Sequence, residues 1–315
     1  MHIVSLLPGT TEIVCALGKS DELVGRSHEC DFPADVRALP ICTEPKFKTD
    51  GISYEIDQRV KALLQEGLSV YRVDENKLAD LEPDVIITQD HCEACAASTK
   101  DVKKAVRSQL GDDVTIISVS PSDLSSVVNS IRTIARAIDA EEDAEKLTGR
   151  MKSQLQAIQQ KVEKLRRPKI LGIEWMDPLM SAGNWVPELM LLAGGRPLGA
   201  QPGEHSPTLA WNSIRELNPD IITIMPCGYS IDKTLQEIEQ LTSRDGWDRL
   251  RAVQNKQVFV LDGNHYFNRP GPRLVDSTRI LGEILHPSVF RKEEPHPGWI
   301  NLFHQTTFHN SLSFF

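Results

Sequence analysis

The chain lacks any apolar run approaching the ~20 residues that cross a bilayer as a helix, so no membrane insertion is expected. It lacks a surplus of positive charge. Its 35 Lys and Arg stand against 44 Asp and Glu, a formal net charge of −9. That argues against nucleic acid and anionic membranes as partners, because both select basic surface. Cysteine is sparse and irregular: Cys15, Cys30, Cys42, Cys92, Cys95 and Cys227 do not follow the spacing of a disulfide framework, and reduced thiols are expected. Also absent are the Gly-x-Ser-x-Gly elbow, the Gly-x-x-x-x-Gly-Lys phosphate loop and His-Glu-x-x-His, and Gly194-Gly195 lacks the dinucleotide fingerprint. No catalytic machinery is therefore recognised, although sites are defined by geometry rather than by motif. The basic stretch and long apolar core of an export signal are missing as well. The run Ile3–Leu7 stops at Pro8-Gly9 and reads as a first strand, so a cytoplasmic location is expected, or a periplasmic one if the chain is a processed mature form.

What is present is enough for two domains: 315 residues, 40% hydrophobic and 25% charged. The most informative feature is an internal echo. Leu81-Glu-Pro-Asp-Val-Ile-Ile-Thr88 recurs as Leu217-Asn-Pro-Asp-Ile-Ile-Thr-Ile224. In each copy Pro closes a short helix and an apolar β-branched run starts a buried strand. Such continuous apolar strands suit a sheet covered on both faces. The echo extends outward. Ile3–Leu7 followed by Thr10–Gly18 matches Ile170–Trp175 followed by Val186–Gly195, a strand and then a helix ending in Gly. Further strands are expected at Val114–Val119 and Val258–Asp262.

Between the halves, Leu147, Met151, Leu155, Ile158, Val162 and Leu165 mark one face of a long helix. An earlier helix, capped by Ser122 or Asp123, runs to about Ile138. The expected fold is α/β: two similar Rossmann-like lobes joined by a long helix, with a ligand cleft between them. The boundaries read as an N-terminal lobe over 1–120, connecting helices over 121–167, a C-terminal lobe over 168–290 and a loosely packed tail over 291–315.

Several stretches carry a family resemblance: Ile3-Val-Ser-Leu-Leu-Pro-Gly-Thr-Thr-Glu12, Gly25-Arg-Ser-His-Glu-Cys-Asp31, Cys92-Glu-Ala-Cys95, Glu174-Trp-Met-Asp-Pro178, Gly183-Asn-Trp185 and Tyr266-Phe-Asn-Arg-Pro-Gly-Pro-Arg273. Over about residues 2–288 the chain resembles the cobalamin-binding substrate-binding proteins of ABC transporters. These form the helical-backbone class, which also carries iron-siderophore and haem binders. The nearest likeness is to a leaderless branch. The resemblance implies cobalamin or a related corrinoid as bound small-molecule ligand, held between the lobes by aromatic faces and a few polar groups. By position it implies Pro8 and Thr10, His28 and Glu29, and Gln89, His91 and Cys92 on the first lobe. It implies Trp175, Trp185, Tyr266 and Phe267 on the second. Permease docking is doubtful. Transported members carry one exposed glutamate per lobe, and Asn76 and Asn212 stand at those positions here.

The residues leave alternatives open. Cys92 and Cys95, preceded by His91, read as a structural thiol pair, a contact to the metal of a chelate, a zinc site with His91 or Cys30, or a redox pair. His205 and His265 are further imidazoles of the axial-ligand type. Arg269 and Arg273 read as clamps for a ligand amide or carboxylate, or as partners of acids. Cys227 reads as a cleft thiol or a small buried residue. The rival functions are a binder of another chelate, haem or siderophore, and a thiol-dependent enzyme acting on such a chelate.

Overall fold

The apolar runs beginning at Ile3 and Val85 lie side by side, and so do those beginning at Ile170 and Ile221. A computed structural model describes residues 1–66, 69–89, 102–103, 113–290 and 296–304. The chain divides into two units, Met1–Lys152 with Pro270–Pro272, and Ser153–Arg269 with Arg273–Phe315.

In the first unit β1 (Ile3–Ser5), β2 (Leu23–Arg26), β3 (Thr43–Pro45), β4 (Tyr71–Val73), β5 (Val85–Gln89) and β6 (Thr115–Val119) are formed. Four of them build a parallel sheet in the order β2-β1-β5-β6, and β3 and β4 pair antiparallel beside it. The central strands β1 and β5 are buried throughout, as their largely apolar, β-branched sequence suits. The helix Pro8–Ala16 follows β1, with Pro8 in its first turn, where a missing N–H costs nothing. Asp123 and Ser126 form the capping box that starts the helix Leu124–Ala137.

In the second unit β7 (Lys169–Met176), β8 (Leu179–Ser181), β9 (Arg196–Leu198), β10 (Ile221–Ile224), β11 (Val258–Leu261) and β12 (Trp299–Asn301) form one sheet. Its parallel strands β9, β7, β10 and β11 repeat the neighbour relations of β2, β1, β5 and β6. The α/β fold and the twofold use of one unit follow the internal echo. The echo is also exact in its turns: Glu82 and Asn218, each preceding Pro, both adopt left-handed backbone with φ of 43° and 42°. Asp84 then accepts the His2 amide at 2.7 Å and returns its own amide to the His2 carbonyl. Asp220 does the same with Lys169, at 2.9 Å. Gly18 and Gly194 end the equivalent helices with φ of 77° and 85°.

Two boundary expectations need correcting. Residues 121–167 are not a separate segment. The helix Glu141–Val162 passes from one unit to the other, with the division at Lys152/Ser153, and the helix before it belongs to the first unit. Nor is 296–304 loose tail. β12 pairs antiparallel with β11, Trp299 meets Phe259 edge-on at 5.5 Å and its indole N–H donates to Glu283. Two aromatics with an apolar strand to lie on outweigh the weak periodicity of that stretch.

Asp220 also takes Arg251 Nη1 at 2.8 Å. Burial alone would raise its carboxyl pKa, but the Lys169 amide and Arg251 outweigh burial and hold it below the ordinary value. The sign follows: a depressed folded-state pKa stabilises above the unfolded value of about 3.9 and is lost as pH falls through the folded one. Asp220→Ala is expected to cost about 1–3 kcal/mol at pH 7 in urea unfolding, and the variant should lose less stability than the parent on going to pH 3.

Candidate functional site

In a parallel sheet every strand delivers its carboxyl end to the same edge, where α/β proteins collect ligand-binding residues. In the first unit that edge carries the turn after β1, the loop after β2 and Gln89 at the end of β5. The turn is held by hydroxyls. Ser5 Oγ lies 2.7 Å from Thr10 Oγ1, Thr11 Oγ1 donates to Ser5 Oγ and to Cys30 Sγ at 2.9 and 3.0 Å, and Ser27 Oγ sits 3.2 Å from Cys30 Sγ. The Thr10 hydroxyl is buried here and bonded to Ser5 and the Leu7 carbonyl. Arg26 is likewise internal, with its guanidinium on the carbonyls of Ser27, Cys30 and Arg37.

His28 and Glu29 behave differently. His28 Nδ1 is 2.8 Å from Thr43 Oγ1, its ring meets Tyr71 at 5.0 Å, and the Tyr71 hydroxyl donates to Glu29 at 3.1 Å. His28 is half-buried and Glu29 exposed, so this cluster of the loop after β2 with β3 and β4 is reachable. Burial pushes the His28 imidazole below its ordinary pKa, against the opposing Thr43 hydrogen bond. Pro8 is half-buried at the start of the helix after β1, and Gln89 is buried at the end of β5. His91, Cys92 and Cys95 lie outside the described residues. Burial pushes the Cys42 thiol up to about 11 and raises that of Cys15 as well, which disfavours the thiolate at both.

In the second unit Trp175 ends β7 half-buried, with its indole N–H on the Asp177 carbonyl at 3.1 Å. Its ring meets the edge of Tyr229 at 5.4 Å. Tyr229 follows β10, donates to Glu237 at 2.9 Å and lies under Lys233 Nζ, 4.0 Å from the ring centre. Burial, and then Glu237, raises the Tyr229 phenol; burial lowers Lys233. Cys227 is half-buried on the same connection, with its amide on the Glu174 carbonyl. After β11 the segment Gly263–Phe267 makes a single π-helical turn capped by Asp262. Tyr266 is half-buried on it, T-shaped to His296 at 4.9 Å and covered by the Arg273 guanidinium.

Trp185 and Phe267 are both buried, and the Trp185 indole N–H donates to the Phe267 carbonyl at 2.8 Å, so in this structure they pack as core under the turn. Arg269 is also buried and gives Nη2 to Asn264 Oδ1 at 3.0 Å. His205 is exposed on a loop. Tyr71, Thr43, Tyr229, Lys233 and Asp262 were not singled out by the sequence. The first two come from strands too short to show a pattern, and Asp262 from a turn type without a sequence signature. Among the described residues no group of three or more His, Cys, Asp or Glu could hold a bare metal ion, and no helix is long and apolar enough to cross a membrane.

Comparison with known proteins follows this geometry. Residues 3–265 match the family described as periplasmic binding protein. The chain is 27% identical, over 299 residues covering 92% of it and 81% of the relative, to the uncharacterised ABC transporter substrate-binding lipoprotein YvrC of Bacillus subtilis. Its fold is similar to that of the periplasmic vitamin B12 binding protein BtuF of Vibrio cholerae (TM-score 0.65, 21% identity, 92% of this chain and 98% of that one). It is similar also to a periplasmic heme binding protein of Pseudomonas aeruginosa (TM-score 0.68, 19% identity, 95% and 96%).

The two tryptophans should separate cleanly. Trp185→Ala is expected to cost about 3–5 kcal/mol in denaturant unfolding, as a buried aromatic with a bonded indole, and Trp175→Ala well under half of that. For His28, the NMR titration midpoint should fall below about 6.5. The unfolded chain then takes up this proton first, so His28 costs stability as pH falls from about 6.5 towards the folded midpoint, and His28→Gln should shrink that loss.

Proposed function

Because the chain belongs to the periplasmic binding protein family, in which it matches over residues 3–265, we propose that it binds a metal chelate without transforming it, and that the chelate is cobalamin or a related corrinoid. The binding residues are those presented at the carboxyl ends of the strands: His28, Glu29 and Gln89 in the first unit, Trp175 and Tyr266 in the second. One observation carries the reading. At the strand ends of the second unit, where ligands collect, stand two half-buried aromatics, Trp175 and Tyr266; of the two nearby arginines, Arg269 is tied to Asn264 and Arg273 lies over the Tyr266 ring. A broad, mostly apolar disc edged with amides needs aromatic faces and few charges, whereas an anionic siderophore needs cations. The fold likeness to proteins named for vitamin B12 and for heme supports a macrocyclic chelate.

The role is that of a carrier, store or sensor, in the cytoplasm, rather than delivery to a permease. Asn76 and Asn212 are exposed at the second position of the corresponding helices Glu75–Leu81 and Trp211–Leu217, where the resemblance places docking glutamates. Recovery of the native protein outside the cytoplasm on cell fractionation contradicts this part of the reading.

Calorimetric titration with cyanocobalamin is expected to give a Kd on the order of 1 μM or tighter, about −8 kcal/mol. Trp175→Ala should weaken it about tenfold or more. Heat with ferric haem but none with cobalamin moves the ligand to haem; no heat with either overturns the chelate reading.

A further inference from the structure

We infer that the second unit carries another ligand site, in the recess between the helix Trp211–Leu217 and the turn 246–250, and that it takes a free α-amino acid as its zwitterion. The inference is independent of the chelate-binding reading.

The recess has a volume of about 460 Å³, within the range of about 300–1,000 Å³ common for small-molecule sites. Arg215, Arg249, Glu216, Asn212 and Asn218 line it, with Leu250 as its apolar wall. Its frame is fixed. Trp247 is buried and stacks on Trp211 with ring centres 6.3 Å apart, and the Trp211 indole N–H donates to the Asp245 carbonyl at 2.8 Å. These contacts tie the turn to the helix.

Two opposite charges line this space without meeting. Among the described residues neither the Arg249 guanidinium nor the Glu216 carboxylate has a hydrogen-bond or ion-pair partner, and they do not pair with each other. Arg215 does not serve Glu216, because consecutive residues of a helix do not face each other. It is held by Asp245 instead, with Nη1 3.6 Å from Oδ2, and it lies against Gly246, where a Cβ would stand 3.2 Å from Arg215 Nε. Gly246 has φ of 76°, so glycine both makes the turn and leaves room for the guanidinium.

The charge pattern selects the ligand. An anion alone would meet Glu216, and a cation alone would meet two arginines. A zwitterion satisfies both, with its carboxylate on Arg249 and its ammonium on Glu216. Asn212 stands one turn before Glu216 on the same helix face. The Asn218 carboxamide oxygen takes the Arg251 amide at 2.9 Å, which leaves that group its N–H donors. Two amides beside one apolar wall suit a polar, uncharged side chain such as that of glutamine. A single exposed ion pair holds little, so selectivity comes from making both pairs at once. The internal echo does not carry the arginine: in the corresponding first-unit helix Glu75–Leu81, Ala79 stands where Arg215 does.

The test is calorimetry on the full chain with L-glutamine, with N-acetyl-L-glutamine, which lacks the ammonium, and with L-glutamine amide, which lacks the carboxylate. The expected Kd for L-glutamine is on the order of 100 μM, with both blocked forms at least about tenfold weaker. Arg249→Gln and Glu216→Gln, both at exposed positions, should each weaken L-glutamine about tenfold. Asn76→Ala in the first unit should leave its binding as in the parent. No heat with L-glutamine, L-serine or L-leucine overturns the inference. So does a blocked form that binds as well as the free amino acid, and so does binding that is unchanged in both recess variants, which places the amino acid elsewhere on the chain. No chelate enters these titrations, so the binding of cobalamin or haem stands or falls separately.

Discussion

In both units the amide at the start of the first strand donates to the carboxylate of an aspartate that follows a proline. That bond, Asp84 to His2 and Asp220 to Lys169, sets the rest. A left-handed residue and a proline end the helix, the aspartate clamps the neighbouring strand, and a mostly apolar run then enters the sheet in fixed register. Register in a parallel sheet decides which residues reach its carboxyl edge. Gln89 in one unit and the Met225–Tyr229 connection in the other arrive at that edge because this clamp starts their strands where it does.

The edge sorts its residues by how far backbone bonding reaches. Thr10, Thr11, Ser5 and Cys30 are drawn inward, since the sharp turn from β1 into the helix leaves amides and hydroxyls that must be paired when buried. His28 with Glu29, and Trp175 with Tyr266, keep part of their surface. His28 is anchored on Thr43 and against the Tyr71 ring, and Trp175 on the Asp177 carbonyl and against the Tyr229 ring. An aromatic or imidazole held in this way and partly exposed is pre-organised for a ligand, because little rotamer freedom remains to be lost on binding.

The fold was legible where one physical rule dominates. Apolar β-branched runs after proline gave the inner strands, three-and-four spacing gave the helix Glu141–Val162, and Asp123 gave a cap. The short strands β3, β4, β8 and β9 were not legible, because three residues carry no period and their pairing is decided by what already lies beside them. β12 was missed for the same reason. The site was legible as a set of loops but not as a set of side chains. Trp175 and Trp185 look alike in sequence, and only the indole bond of Trp185 to the Phe267 carbonyl sends it into the core. Asp262 is an ordinary strand-end acid until a π-helical turn brings His265 back onto it.

The central claim, that the carboxyl ends of the strands form the chelate-binding surface, is tested most directly by hydrogen exchange of the full chain with and without saturating cobalamin or ferric haem. The account predicts slowed exchange at residues 26–31, 174–177 and 262–268, with the helix Trp211–Leu217 unchanged. Slowing confined to that helix and its neighbours, with the strand ends unaffected, contradicts it.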